Sequence, residues 1–167
     1  QKALEALQDS LYGENSLLLR LLRNRIAAQA MVEQNRLASA LQVLGQDTSI
    51  EAERIRLSIF WKQRNWDKVI ATVEGLFKQR EDITAQLTLD ESEALMKLAL
   101  AYVFENNTIQ RQYLHDYFLP LMENNPYRDA FNFVTQSDTV ITTTNFDEII
   151  KNLSDTRTFI ENYQTRI

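Results

Sequence analysis

The stretch Phe60-Trp61-Lys62-Gln63-Arg64-Asn65-Trp66-Asp67-Lys68-Val69-Ile70 reads as a joint between two helices. Apolar residues recur at helical spacing on both sides of it, and Arg64 with Asn65 makes the polar turn. Asn65 carries the short acceptor side chain that caps a helix opening at Trp66. A shift of about 29 residues lays this region over an earlier one. Arg25, Ile26, Met31, Gln34, Leu37, Ala40 and Leu44 then correspond to Arg54, Ile55, Phe60, Gln63, Trp66, Val69 and Val73. Self-similarity at a fixed period implies repeat units that bury their apolar faces by stacking on one another.

Working outward, apolar spacing and caps divide the 167 residues into about eight helices within one helical-repeat domain, 1–167. A short opening helix over Ala3 to Leu7 is expected to end in the polar stretch Gln8 to Ser16. Repeat-like hairpins follow at about 17–45, 49–79 and 90–123, with closing helices at about 126–135 and 145–167. In the first arm the apolar positions are Leu18, Leu19, Leu22, Ile26 and Ala30, and Gly45 reads as the stop of the return helix. Thr48 with Glu51, and Thr88 with Glu91, have the spacing of reciprocal capping pairs. Pro120 should bend or shorten the third hairpin, and Pro126 can open the next short helix. Asp138 to Thr144 is β-branched and reads as an extended crossing. Beyond it, Phe146, Ile149, Leu153, Thr156, Ile160, Tyr163 and Ile167 follow a heptad seam, suited to lying on the end of the stack or to pairing with a second copy.

Composition agrees with an all-α chain. Gly 3 and Pro 2 together make about 3% of the residues, against roughly 12% in an average globular protein. No run of about 18 apolar residues occurs, so a soluble protein is expected, cytoplasmic or periplasmic. The chain opens at Gln1 without Met or a signal pattern, as expected for a processed or internal end. Cysteine is absent, which excludes disulfides, thiolate nucleophiles and sulfur-rich zinc sites. The net charge of −5 is uneven: residues 1–80 carry 12 basic and 9 acidic side chains, and residues 81–167 carry 6 and 14. The two halves thus offer partners fields of opposite sign.

The joints resemble those of tetratricopeptide repeats. In that family an aromatic or large apolar residue follows the turn, a small residue comes three later and a large apolar one four beyond. Here the second helices read Leu37, Ala40, Leu44 and Trp66, Val69, Val73. The small residue lets two helix axes approach to about 8–10 Å, and the aromatic fills the wedge between hairpins. The resemblance is best over residues 20–77. It departs in its period, about 29 against 34, in Leu57 standing opposite Ala28, and in the lack of a closing Pro. It implies a right-handed superhelix of antiparallel hairpins, a TPR-like α-solenoid, and the chain is expected to be the C-terminal piece of a longer bacterial repeat protein. An irregular α-bundle whose hairpins match by chance is the alternative.

Groups for chemistry are sparse. His115 is the single histidine and reads as structural, and the carboxylate pairs Glu91 with Glu93 and Asp147 with Glu148 stand in first helical turns, where they answer the helix dipole. Gly13, Gly45 and Gly75 are isolated, so no phosphate-cradling loop exists. No catalytic residue, metal site or cofactor is expected. Arg20, Arg23, Arg25, Arg54 and Arg56 could form a basic stripe able to meet phosphates or acidic peptides, but aromatic residues are not interleaved with them as base stacking would want. The resemblance places the first helices along a concave groove, with Arg25, Gln29 and Glu33 in one row and Arg54, Ser58 and Lys62 in the next, Trp61 lying beside Val32. The expected function is a non-enzymatic scaffold that binds a peptide or protein partner there. The alternatives are oligomerisation through 145–167 and nucleic-acid binding by the arginine stripe.

Overall fold

The computed structural model describes the backbone of residues 2–136 and the side chains of residues 17–136, and among these described residues there are seven α-helices and one 3-10 turn. The helices are α1 (Lys2–Glu33), α2 (Leu37–Leu44), α3 (Ile50–Lys62), α4 (Trp66–Lys78), α5 (Leu89–Phe104), α6 (Thr108–Phe118) and α7 (Arg128–Thr135), with the 3-10 turn at Leu119–Met122. No strand occurs among the described residues, and none of their helices is long and apolar enough to cross a membrane. The extended crossing expected at 138–144 and the seamed helix expected at 145–167 lie outside the described residues.

Local signals set most boundaries. The Asn65 side chain accepts from the Lys68 amide at 3.2 Å, and Asn107 accepts from Gln110 at 3.1 Å. Thr88 and Glu91 form the full reciprocal box: the Thr88 hydroxyl takes the Glu91 amide at 3.3 Å, and the Glu91 carboxylate takes the Thr88 amide at 2.8 Å. Gly45 ends α2 at φ 51°, a left-handed torsion that suits a residue without Cβ. Pro120 stops α6 at Phe118 and leaves the tighter turn behind it.

Three expectations need correction. The polar stretch Gln8 to Ser16 is helical, and the short opening helix is continuous with the first long arm. One interior glycine costs only about 1 kcal/mol, and the Leu, Gln and Glu around Gly13 are good helix formers. The cap of α3 is Ser49, which accepts from Ala52 at 3.3 Å, and not Thr48; Glu51 reaches Arg25 instead, at 3.4 Å. The packed face of α1 also differs. Leu18, Leu22 and Ile26 are about half exposed or more (61%, 49% and 63%), whereas Ala28 and Val32 are buried. Small residues permit the closer helix approach, so α1 meets its neighbours through them.

The chain divides into two compact units, Gln1–Arg64 and Asn65–Ile167. In the first, α1 and α2 form an antiparallel hairpin and α3 lies against both. Ala28, Val32, Ala40, Leu44, Ala52, Ile55 and Ile59 make its core. Arg25 meets Glu51 near the start of α3, and Lys62 meets Val32 at the other end, so α1 and α3 run in the same direction. In the second unit α4 packs on α5, α5 and α6 form a hairpin, and α7 lies against both. Phe131, Leu95, Leu100 and Met122 are fully buried there. The Trp66 ring stacks on Phe104 with centroids 4.6 Å apart. Because Trp66 is partly exposed, Trp66→Ala should cost about 2–3 kcal/mol, read from urea denaturation followed by circular dichroism.

The joints recur. Asn35, Arg64 and Asn106 have left-handed φ of 60°, 53° and 52°. The residue after each, Arg36, Asn65 and Asn107, has φ near −90° and ψ of 59°, 85° and 78°. At the first and third joints the amide of that next residue reaches back five positions, Arg36 to Met31 and Asn107 to Tyr102, both at 2.8 Å. This is the Schellman closure, which satisfies carbonyls a helix end would otherwise orphan.

Candidate functional site

The row expected to face a partner lies on α1 and α3, and much of its charge is engaged internally. Arg25 donates from Nε to the Asp47 carboxylate at 2.8 Å and from Nη1 to Glu51 at 3.4 Å. Asp47 also accepts the Ser49 amide at 3.0 Å. Burial by itself pushes the Asp47 carboxyl up, but the Ser49 amide, the Arg25 guanidinium and the Ser49 hydroxyl together hold it below the usual carboxylate range. Arg56 grips the same loop from α3, donating to the carbonyls of Asp47 at 2.6 Å and Gly45 at 2.8 Å and to Glu53 at 2.6 Å. Two of the five arginines of the stripe are therefore clasps on the α2–α3 loop. Arg20, Arg23 and Arg54 are exposed.

Lys62 donates to the Val32 carbonyl at 2.8 Å, a cation on the C-terminal end of α1, and its stem is otherwise exposed. Ser58 back-bonds to the Arg54 carbonyl at 3.2 Å within its own helix. Gln29 and Glu33 are exposed one turn apart on α1, and Trp61 is partly buried. The exposed members of this face are Gln29, Glu33, Arg54 and Lys62.

The second unit contains a feature that sequence reasoning missed, an open cavity of about 310 Å³ between α4, α5, α6 and the loop after α4. Phe77, Leu95, Leu98, Leu114 and Phe118 form its apolar wall. Phe77 meets Phe118 edge-on at 5.2 Å, Tyr117 meets Phe118 edge-on at 4.8 Å, and Tyr113 stacks on Tyr117 at 5.8 Å. Ile83, Tyr113 and Tyr117 stand at the mouth, 57%, 57% and 39% exposed.

Polar groups enter that cavity at defined points. Tyr102 donates its hydroxyl to Glu74 at 2.7 Å. Burial first, and then the adjacent Glu74 carboxylate, push the Tyr102 phenol well above its ordinary value, so it stays a donor. Arg80 is tied down: Nε pairs with Glu91 at 3.1 Å and Nη2 donates to the Ala85 carbonyl at 2.6 Å, which braces the loop. Lys78 is exposed at the cavity and makes no ion pair among the described residues.

His115 bridges α6 to α7 through Asn132 at 2.9 Å and also contacts Asp116 at 3.2 Å. Among the described residues no three His, Asp or Glu side chains converge as metal ligands. Comparison with protein-family models, curated proteins and solved structures found no match to this chain.

Proposed function

We propose that this protein is a non-enzymatic interaction module of the tetratricopeptide-like kind, a right-handed superhelix of antiparallel hairpins that binds a peptide or protein partner on its first helices. The single observation behind this reading is the recurrent joint: Asn35 and Arg64, 29 residues apart, share the same left-handed torsion, and Asn106 repeats it at the third hairpin. Burial supports it as well. Ala40 and Val69 are fully buried, Leu44 and Val73 are buried, and Gln34 and Gln63 are both exposed. Ile26 breaks the correspondence, being exposed where Ile55 is buried. Ile55 is covered by the hairpin before it, whereas α1 begins the described stack.

The partner is a polypeptide in this reading. With Arg25 and Arg56 committed to the Asp47 loop, three exposed arginines are too few and too interrupted to track a phosphate backbone. Mixed charges at Glu33, Arg54 and Lys62 suit a peptide of mixed sign instead. The test is to select binders from a displayed peptide library and titrate them by fluorescence anisotropy. Arg54→Glu should weaken selected peptides about ten-fold, the scale of one interfacial charge. A single-stranded RNA oligomer should show no binding at about 50 mM salt. Peptides indifferent to changes at Gln29, Glu33 and Arg54 would remove this face from consideration.

A further inference from the structure

We infer that the cavity between α4, α5 and α6 is a second docking seat, which receives one bulky apolar side chain of a partner peptide with an acidic residue beside it, against Lys78. The inference rests on reading the protein as a peptide-binding module, and it names a different surface and a specific chemistry.

Size comes first. A cavity of about 310 Å³ stands at the lower limit of small-molecule sites, which span roughly 300–1,000 Å³. A cavity of about 150 Å³ already holds a benzene ring, so this one accepts a large bicyclic side chain such as that of tryptophan, with space left toward its open mouth. The wall chemistry agrees, because Phe77, Leu98, Leu114 and Phe118 offer ring faces and methyl groups with few competing polar atoms. At the mouth, Ile83, Tyr113 and Tyr117 remain exposed around the opening, so apolar surface continues past the hole itself. A chain whose anchor enters the cavity would cover those three with its flanking residues, the usual anatomy of an anchor ringed by water-excluding contacts.

Charge selects the neighbour of the anchor. Three ionisable groups line the cavity outside the tyrosines. Glu74 accepts from Tyr102, Arg80 is bound to Glu91 and to the loop carbonyls, and Lys78 alone has no ionic partner among the described residues. A carboxylate on the incoming peptide beside Lys78 therefore finds a cation to answer it, and a lysine there would face that cation; the charge of Glu74, one turn before Lys78 on α4, keeps the preference small. Because Lys78 is exposed and screened, it supplies preference more than affinity. The anchor supplies the affinity.

The experiment is a titration of the full 15N-labelled chain with blocked dipeptides, followed by amide chemical shifts. Acetyl-Trp-Asp-amide should saturate in the range of about 1 mM, as expected for a fragment this small. The perturbed amides should lie near Phe77 to Ile83, Leu98 and Gln110 to Phe118. Acetyl-Ala-Asp-amide should cause no saturable shift, and acetyl-Trp-Lys-amide should bind about two- to five-fold more weakly than the Asp form. Lys78→Ala should abolish that preference and keep the Trp binding. Tyr113→Ser, at an exposed position that leaves the core untouched, should weaken both Trp peptides about ten-fold while distant amides stay in place. Equal shifts from the Ala and Trp peptides, the absence of any saturable shift, or a preference for the Lys form would overturn the inference. Arg54→Glu lies in the other unit and should leave this titration unchanged, so a failed titration condemns the seat and not the α1–α3 face.

Discussion

Phe131→Ala should lower stability by about 3–5 kcal/mol, the range for deleting a fully buried aromatic ring. Phe131 has no exposed surface and lies on α7, a helix of 8 residues that is too short to persist without its packing on α5 and α6. Losing the ring removes apolar burial and leaves a void between three helices, because the surrounding core relaxes only partly. Urea denaturation followed by far-ultraviolet circular dichroism reads the midpoint directly. Phe133 on the same helix is 46% exposed, and Phe133→Ala should cost under about 1 kcal/mol. If the two variants lose equal stability, α7 is not held by the face that contains Phe131.

Asp47→Ala should cost about 2–3 kcal/mol, because it removes the buried carboxylate that joins Arg25 to the Ser49 amide and leaves the partly buried guanidinium with only its longer contact to Glu51. The Arg56 bond goes to the Asp47 backbone carbonyl and survives the substitution, which isolates the carboxylate's share. The same group gives an acid signature. Its folded pKa lies below the unfolded value of about 3.9, so the stabilisation is fully present above that value and fades as pH falls through the folded pKa. Asp47→Asn should flatten this part of the acid-unfolding profile. A double-mutant cycle with Arg25→Met should give a coupling of about 1–2 kcal/mol. A cycle that closes to zero would mean the pair contributes nothing beyond its separate contacts.

What was legible in the sequence is what depends on neighbours along the chain. Asn65, Thr88 with Glu91, Gly45 and Pro120 act within one turn of themselves, and each fixed a boundary close to where it was expected. Periodicity groups residues onto a common face but does not say which face is packed. On α1 the larger stripe of Leu18, Leu22 and Ile26 therefore drew attention away from Ala28 and Val32. Arg25 and Lys62 looked available because their partners, Asp47 and the Val32 carbonyl, stand 22 and 30 positions away. The cavity was invisible for the same reason. Its lining runs from Glu74 to Phe118, drawn from three helices and a loop, and no short pattern gathers those residues.

The left-handed joints bear on how such a chain can drift. At positions 35, 64 and 106 the requirement falls on the sign of one backbone angle and not on a side chain, so asparagine serves twice and arginine once. Divergence can then erase every recognisable letter at a bend while the bend itself persists. β-Branched residues, which tolerate that angle worst, would be the substitutions purged from it.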